Sequence, residues 1–483
     1  MLNIQDQGVK LCDSVSRRDW LRIGSLGAFG LTMPQLMAQK AQAAGFSAGT
    51  SKSFGKAKRC IVLFLLGGPP QQETWDPKPQ APTETRGPYK PIASSLPGLP
   101  VCELMPRTAK LAHKVAVLRA MATDDNAHSS SGYWMLTGTP HQPKNRESGK
   151  PGAPNNWPCV AAVVRHLKEN GPDAKKRMDV NGRPAILPAS VRLPEEIWNT
   201  GRIVWPGQDA GWLGDAADPW LLHCHPHKPD FKVPDIRLPN EISTARFRNR
   251  ETLLQNVNRQ LQQVEQAGKV GRWDNLRQQT FDLLRSPRAQ KAFQLYREPA
   301  KVRDQYGRNR FGQSVLLARR LVEAGVSLVQ VNWTRWDYDV AVNPAWDTHA
   351  KNAERLKKDL MPPMDMAYSA LLEDLEKRGL LEDTLVVWMG EFGRTPKINK
   401  RGGRDHWGHV YSTALAGGGI HAGQVYGSSD KQAGYPVSGR VEPQDLTATI
   451  FHCLGYTPET KIHDALGREF TITKGSPIGP VLI

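Results

Sequence analysis

Three short segments late in the chain carry the residue types that bind divalent metals. Trp346-Asp347-Thr348-His349 sets a carboxylate and an imidazole two positions apart. Glu391 opens Glu391-Phe392-Gly393-Arg394-Thr395-Pro396, and the Gly-rich run 402–409 holds Asp405, His406 and His409. Asp347, His349, Glu391, Asp405 and His406 together offer the mixed oxygen and nitrogen donors that suit an ion such as zinc, calcium or manganese. In an extended loop, residues two apart point to the same side, so Asp347 and His349 can face one ion. Arg394, in a Gly-rich turn, has the geometry to hold an anionic group by paired N–H contacts; the alternative is an ion pair with Glu391. Earlier, Ala127-His128-Ser129-Ser130-Ser131-Gly132 puts an imidazole ahead of three hydroxyls. That is either a nucleophile and base feeding a helix, or a polar turn before a core helix. His223-Cys224-His225-Pro226-His227 reads as a loop, because no fourth ligand accompanies it.

These residues need a scaffold that gathers them. The continuous apolar run Cys60–Leu66 ends in Gly67-Gly68-Pro69-Pro70 and reads as a strand buried on both faces. Further strands are expected at 115–118, 185–187, 326–332, 384–389 and 410–416. Helices are expected at 104–113, 157–167, 311–324, 350–360, 364–378 and 446–454. Alternating strands and helices imply an α/β domain with a doubly wound, mostly parallel sheet. Sites in such sheets form beyond the carboxyl ends of the strands. His128, the Asp347 segment and Glu391 all fall just after predicted strands, and Gly67 and Gly68 offer backbone groups for substrate at the first. Residues 190–300 interrupt the pattern with an irregular cap and a helical hairpin.

The chain has 483 residues and a formal net charge of +17 at pH 7. An anionic partner is therefore plausible, but the basic residues are scattered rather than striped, which argues against a nucleic-acid module. The six cysteines show neither CxxC nor zinc-finger spacing, so no disulfide framework is expected. Ser16-Arg17-Arg18-Asp19-Trp20-Leu21-Arg22 resembles a twin-arginine export motif. A weak apolar stretch and Ala41-Gln42-Ala43 follow it, as before a cleavage site. The expected organisation is a signal peptide at 1–43, a linker at 44–57 and one domain at 58–483, exported to the periplasm or beyond. No transmembrane segment is expected in the mature chain.

The order of these motifs resembles the domain-of-unknown-function 1501 family, which is placed in the alkaline phosphatase and sulfatase superfamily. WDTH, EFGRTP and DHW in this order carry the resemblance, which spans roughly residues 58–480. It implies a sheet of alkaline phosphatase/sulfatase type. The superfamily's nucleophile segment, which ends in Leu-Thr-Gly, falls in register with Ser131 and with Met135-Leu136-Thr137-Gly138, so His128 takes the nucleophile's position. By the same comparison Gly67-Gly68 replace paired aspartates, Glu391 replaces an aspartate, and Phe392 replaces a histidine or asparagine. One metal site built from Asp347, His349 and His406 is what the resemblance leaves. Three routes to hydrolysis of phosphate or sulfate esters follow: His128 as nucleophile, Ser129 as nucleophile with His128 as base, or a metal-activated water. The competing reading is a non-catalytic exported protein that binds anionic glycans or a partner protein.

Overall fold

A computed structural model describes residues 51–171, 174–199, 202–233, 283–284, 286–335 and 345–483. The twin-arginine segment and most of the helical hairpin lie outside the described residues.

An eight-stranded sheet organises the chain. Its strands are β1 (Arg59–Leu65), β2 (Val115–Met121), β3 (Ser190–Leu193), β4 (Trp220–Leu221), β5 (Leu328–Trp333), β6 (Thr384–Met389), β7 (Tyr411–Gly417) and β8 (Gln424–Tyr426). The order across the sheet is β8-β2-β7-β6-β1-β5-β3-β4. β1 pairs in parallel with β5 and β6, β3 with β5 and β4, and β8 with β2. Only β7 runs against the rest, antiparallel to both β6 and β2. The three central strands β5, β1 and β6 are buried at every position, which is why they read as unbroken apolar runs.

Three expectations shift. The strand expected at 185–187 forms instead at Ser190–Leu193. The helix expected at 104–113 is reduced to Pro106–Ala109 and a short 3₁₀ turn at Ala112–Lys114. The helix expected at 350–360 appears as Asn352–Arg355 followed by a π-helical turn at Leu356–Leu360. The longer helices among the described residues are α1 (His128–Thr137), α2 (Val160–Asn170), α3 (Arg310–Glu323), α4 (Met361–Lys377) and α5 (Pro443–Cys453). α3 packs on β5 and β1 and against α4. Their contact is tied by Arg319, fully buried, whose guanidinium meets Glu298 at 2.8 Å, Glu323 at 2.7 Å and Asp374 of α4 at 3.0 Å.

Cys60, Cys102, Cys159, Cys224 and Cys453 are free, buried thiols. Among the described residues, no helix is long and apolar enough to cross a membrane.

Candidate metal centre

The carboxyl edge of the sheet collects the predicted segments, and backbone hydrogen bonds fix where each lies. Beyond β1, Leu66 O accepts from Trp346 N at 2.9 Å, which seats the Asp347 segment against the first strand's end. Thr348 O accepts from Arg404 N (3.0 Å) and Gly402 O from Asn352 N (2.8 Å), so segments 348–352 and 402–404 run side by side. Gly393-Arg394 and His406-Trp407 form a short antiparallel pair. Because β7 is reversed, its amino end lies at the edge where the other strands finish, and this delivers His406 to the same place as Asp347 and Glu391.

Asp347 is the hub. Its Oδ1 lies 3.0 Å from His349 Nε2, 3.1 Å from His406 Nε2 and 2.7 Å from Arg394 Nη2. Its Oδ2 lies 3.0 Å from Arg335 Nη2 and 3.3 Å from His128 Nε2. The two imidazole nitrogens of His349 and His406 are 2.9 Å apart. Phe392 stacks on His406, and Trp205 on His128, walling the centre with aromatic rings.

The far nitrogen of each ring decides what these atoms are. His349 Nδ1 lies 2.7 Å from Asp405 Oδ1, His406 Nδ1 2.7 Å from the carbonyl of Asn126, and His128 Nδ1 2.7 Å from Glu391 Oε1. Each partner is an acceptor, so each Nδ1 carries a proton, and a neutral ring then has a lone pair at Nε2. Three such lone pairs face one carboxylate. One donor atom each from His128, Asp347 and His406 lies within 4.8 Å of the others. Acceptors packed this closely repel unless a cation or a proton lies between them. The donor set therefore fits a divalent metal, and its imidazoles suit a zinc-type ion better than calcium, which takes oxygen ligands.

The protonation of the chain alone follows the same geometry. Burial would depress the His128 imidazolium, but Asp347 and Glu391 outweigh it and push its pKa up to about 9. Burial and the positive charge of His128 push His406 down to about 3. Burial would raise the Asp347 carboxyl, but the charges of His128 and Arg394 hold it well below the usual carboxylate range. Without metal, a proton on His128 does part of the cation's work.

Several predicted residues take other roles. Ser129 Oγ bonds Arg146 O, Glu147 O (2.7 Å) and Gly149 N (2.8 Å), turned to the 146–149 loop rather than the centre. Ser130 Oγ donates to Asp125 and Ser131 Oγ to the carbonyl of Glu391, both fully buried. The nucleophile role for Ser129 is corrected on this ground. Arg394 is also buried, with its N–H groups spent on the carbonyls of Gly67, Gly68 and Arg404 and on Asp347. It neutralises Asp347 instead of reaching for a substrate. Gly67 and Gly68 pack tightly: a Cβ on Gly67 would fall 2.2 Å from Asp347 N, and one on Gly68 would strike Phe392. The Gly67 N–H is bonded to Glu391 and the Gly67 and Gly68 carbonyls to Arg394, so these backbone groups serve the protein itself rather than a substrate, which corrects the substrate-contact expectation. Glu391 and Asp405 sit behind histidines rather than among the converging lone pairs. The anion at the amino end of α1 is the protein's own, since His128 N donates to Glu147 Oε2 at 2.8 Å. In the His223–His227 loop, His223 is exposed and pairs with Glu196 at 3.2 Å.

Arg335, Asn126 and Trp205 were not singled out from sequence. Arg335 follows β5 by two residues, so the strand-end rule itself would have found it. Asn126 acts through its backbone, and Trp205 arrives from the irregular insertion; neither has a local signature.

The chain matches the family model described as "Protein of unknown function (DUF1501)" over residues 57–482, and it belongs to that family. Among solved structures, the PsFucS1 sulfatase from Pseudoalteromonas sp. is similar at 13% identity over 87% of this chain and 72% of its own, with a TM-score of 0.36. The phosphonate monoester hydrolase SpPMH from Silicibacter pomeroyi is similar at 14% identity, over 88% and 76%, with a TM-score of 0.30. The lipoteichoic acid synthase LtaP from Listeria monocytogenes is similar at 9% identity, over 86% and 78%, with a TM-score of 0.33. No curated protein matches in sequence.

Proposed function

We propose that the protein is a metal-dependent hydrolase of phosphate or sulfate esters, exported by the twin-arginine route that Arg17-Arg18 suggests. The observation that carries this reading is the convergence of three imidazole Nε2 atoms on Asp347, each ring held from behind by an acceptor. His128, His349, His406 and Asp347 would hold the metal, which supplies a Lewis acid for the ester oxygens and lowers the pKa of a water molecule.

The charge balance favours an anionic substrate. Arg335 and Arg394 face the three carboxylates of Asp347, Glu391 and Asp405, which leaves one negative charge with neutral histidines. A divalent cation turns that into one positive charge in a buried setting, where its field on an anion is strong. Among the described residues, all three serine hydroxyls of 129–131 are committed to other partners, and His128 Nε2 faces the Asp347 carboxylate at 3.3 Å rather than open space. Attack therefore falls to water. His349 and Asp405 are the most exposed members, with His406 less so, and they form the open side.

The test is metal content of the purified protein beside an Asp347→Ala/His349→Ala double variant, followed by a panel of phosphate and sulfate esters with the metal found. About one equivalent of metal, lost in the variant, with turnover of an ester, is the expected result. Absence of metal from both proteins overturns the reading. Metal without turnover on any ester returns the chain to the alternative of an anion-binding protein.

A further inference from the structure

We propose that Glu391 is the positioning residue of this centre: its carboxylate fixes His128 in the tautomer that turns Nε2 toward Asp347 and the metal. The inference rests on the metal reading above and assigns a role within it.

Glu391 is fully buried, and its Oε1 carries two contacts. It accepts the backbone N–H of Gly67 at 2.8 Å and meets His128 Nδ1 at 2.7 Å. The Gly67 contact anchors the carboxylate to the end of β1, independently of the histidine. The His128 contact then selects one of two tautomers. With the proton on Nδ1, Nε2 is left 3.3 Å from Asp347 Oδ2, at ion-pair distance and with no hydrogen-bond partner of its own. With the proton on Nε2, that N–H would point at Asp347 Oδ2 at 3.3 Å, but Nδ1 and Glu391 would be two acceptors at 2.7 Å, a closer buried repulsion than the one the first tautomer leaves at Nε2. The ring cannot escape by turning, because Trp205, Phe392 and His406 flank it with ring centroids at 5.8, 5.0 and 4.2 Å. Glu391 is thus not a ligand, although its residue type suggested one. It is a carboxylate behind an imidazole, the arrangement that orients metal-bound histidines and raises their basicity. Asp405 stands in the same relation to His349, but it is half exposed and shares its oxygen with Asn399, so its hold is weaker.

The experiment compares zinc-loaded wild type, Glu391→Gln and Glu391→Ala. Zinc affinity is measured by competition with a chromophoric chelator, and the His128 ring nitrogens by ¹⁵N NMR of histidine-labelled protein, assigned with His128→Ala. In wild type, His128 is expected to show a protonated Nδ1 and a metal-bound Nε2. Glu391→Gln keeps an acceptor in place but not its charge, and a loss of about 10- to 100-fold in zinc affinity is expected with the tautomer retained. Glu391→Ala is expected to bind more weakly still and to show mixed tautomers of His128. Circular dichroism and a thermal melt separate this from unfolding, and Glu391→Gln, nearly isosteric, keeps the test open if Glu391→Ala does not fold. A wild type that binds no zinc sinks the metal reading itself. A wild type that binds zinc with Nε2 of His128 protonated, or variants with unchanged affinity and unchanged His128 signals, overturns the role of Glu391 alone.

Discussion

At the scale of single residues, the centre is governed by which atom holds each proton. His128 shows this most sharply, because its folded pKa of about 9 lies above the ordinary value of 6.5. A raised imidazole pKa contributes stability that is fully present below about pH 6.5 and is lost as pH rises through about 9. Metal-free protein is therefore expected to melt at progressively lower temperature between pH 6.5 and 9, and His128→Gln is expected to flatten that slope. Zinc binding at pH 7.5 is expected to release about one proton, since His128 must give up its proton to bind while His406 is already neutral. Calorimetry in two buffers of different ionisation enthalpy measures that release; a value of zero would remove His128 from the ligand set.

At the scale of elements, glycines place the loops around Asp347 as firmly as side chains do. Gly67 adopts φ +110°, and a Cβ there would fall 2.2 Å from the backbone nitrogen of Asp347. The same residue donates to Glu391 and accepts from Arg394. Gly67→Ala is expected to cost about 1–3 kcal/mol in stability and to lower zinc affinity at least tenfold, although no ligand is removed. Gly98 is the control. It also has a positive φ, but open space surrounds its Cβ position, so Gly98→Ala is expected to leave zinc affinity unchanged. Urea unfolding and chelator competition read both. β7 illustrates the same scale differently. Its reversal is what brings His406 to the carboxyl edge, and the short pairing of Gly393-Arg394 with His406-Trp407 locks it there.

At the scale of the whole molecule, the sheet and the α3–α4 contact carry the fold, and the Asp347–histidine cluster is built on top of them. Arg319 is 0% exposed and faces Glu298, Glu323 and Asp374. Arg319→Met would leave three carboxylates around an apolar side chain, and a loss of about 3–5 kcal/mol is expected. Chemical denaturation checks it, with metal content per folded molecule expected to stay at the wild-type level. Burial would raise the Glu298 carboxyl, but its hydrogen bond and ion pair with Arg319 hold it below the ordinary value. A depressed carboxyl contributes stability above its unfolded pKa that is lost as pH falls through the folded one. The acid limb of the stability curve is therefore expected to be shallower in the variant.

The sequence by itself determined the central strands, because β1, β5 and β6 are buried on both faces and leave unbroken apolar runs between Gly and Pro. It named Asp347, His349 and His406 as candidates, because carboxylates and imidazoles after strand ends are the residue types that bind metals, and the structure brings their side chains together. It could not decide between ligand and supporting residue. Glu391, Asp405 and Arg394 have the same chemistry either way, and only the packing of Gly67, Asp347 and three histidines around them shows which atoms face inward. Ser129 looked like a nucleophile because a hydroxyl beside a histidine is the right pair of types, yet the 146–149 loop takes its hydroxyl from a distance that no local pattern reports. The direction of β7 was equally hidden, since a strand's polarity in a sheet depends on its neighbours and not on its own residues. The residue types set the available chemistry here, and long-range packing assigned each atom its part in it.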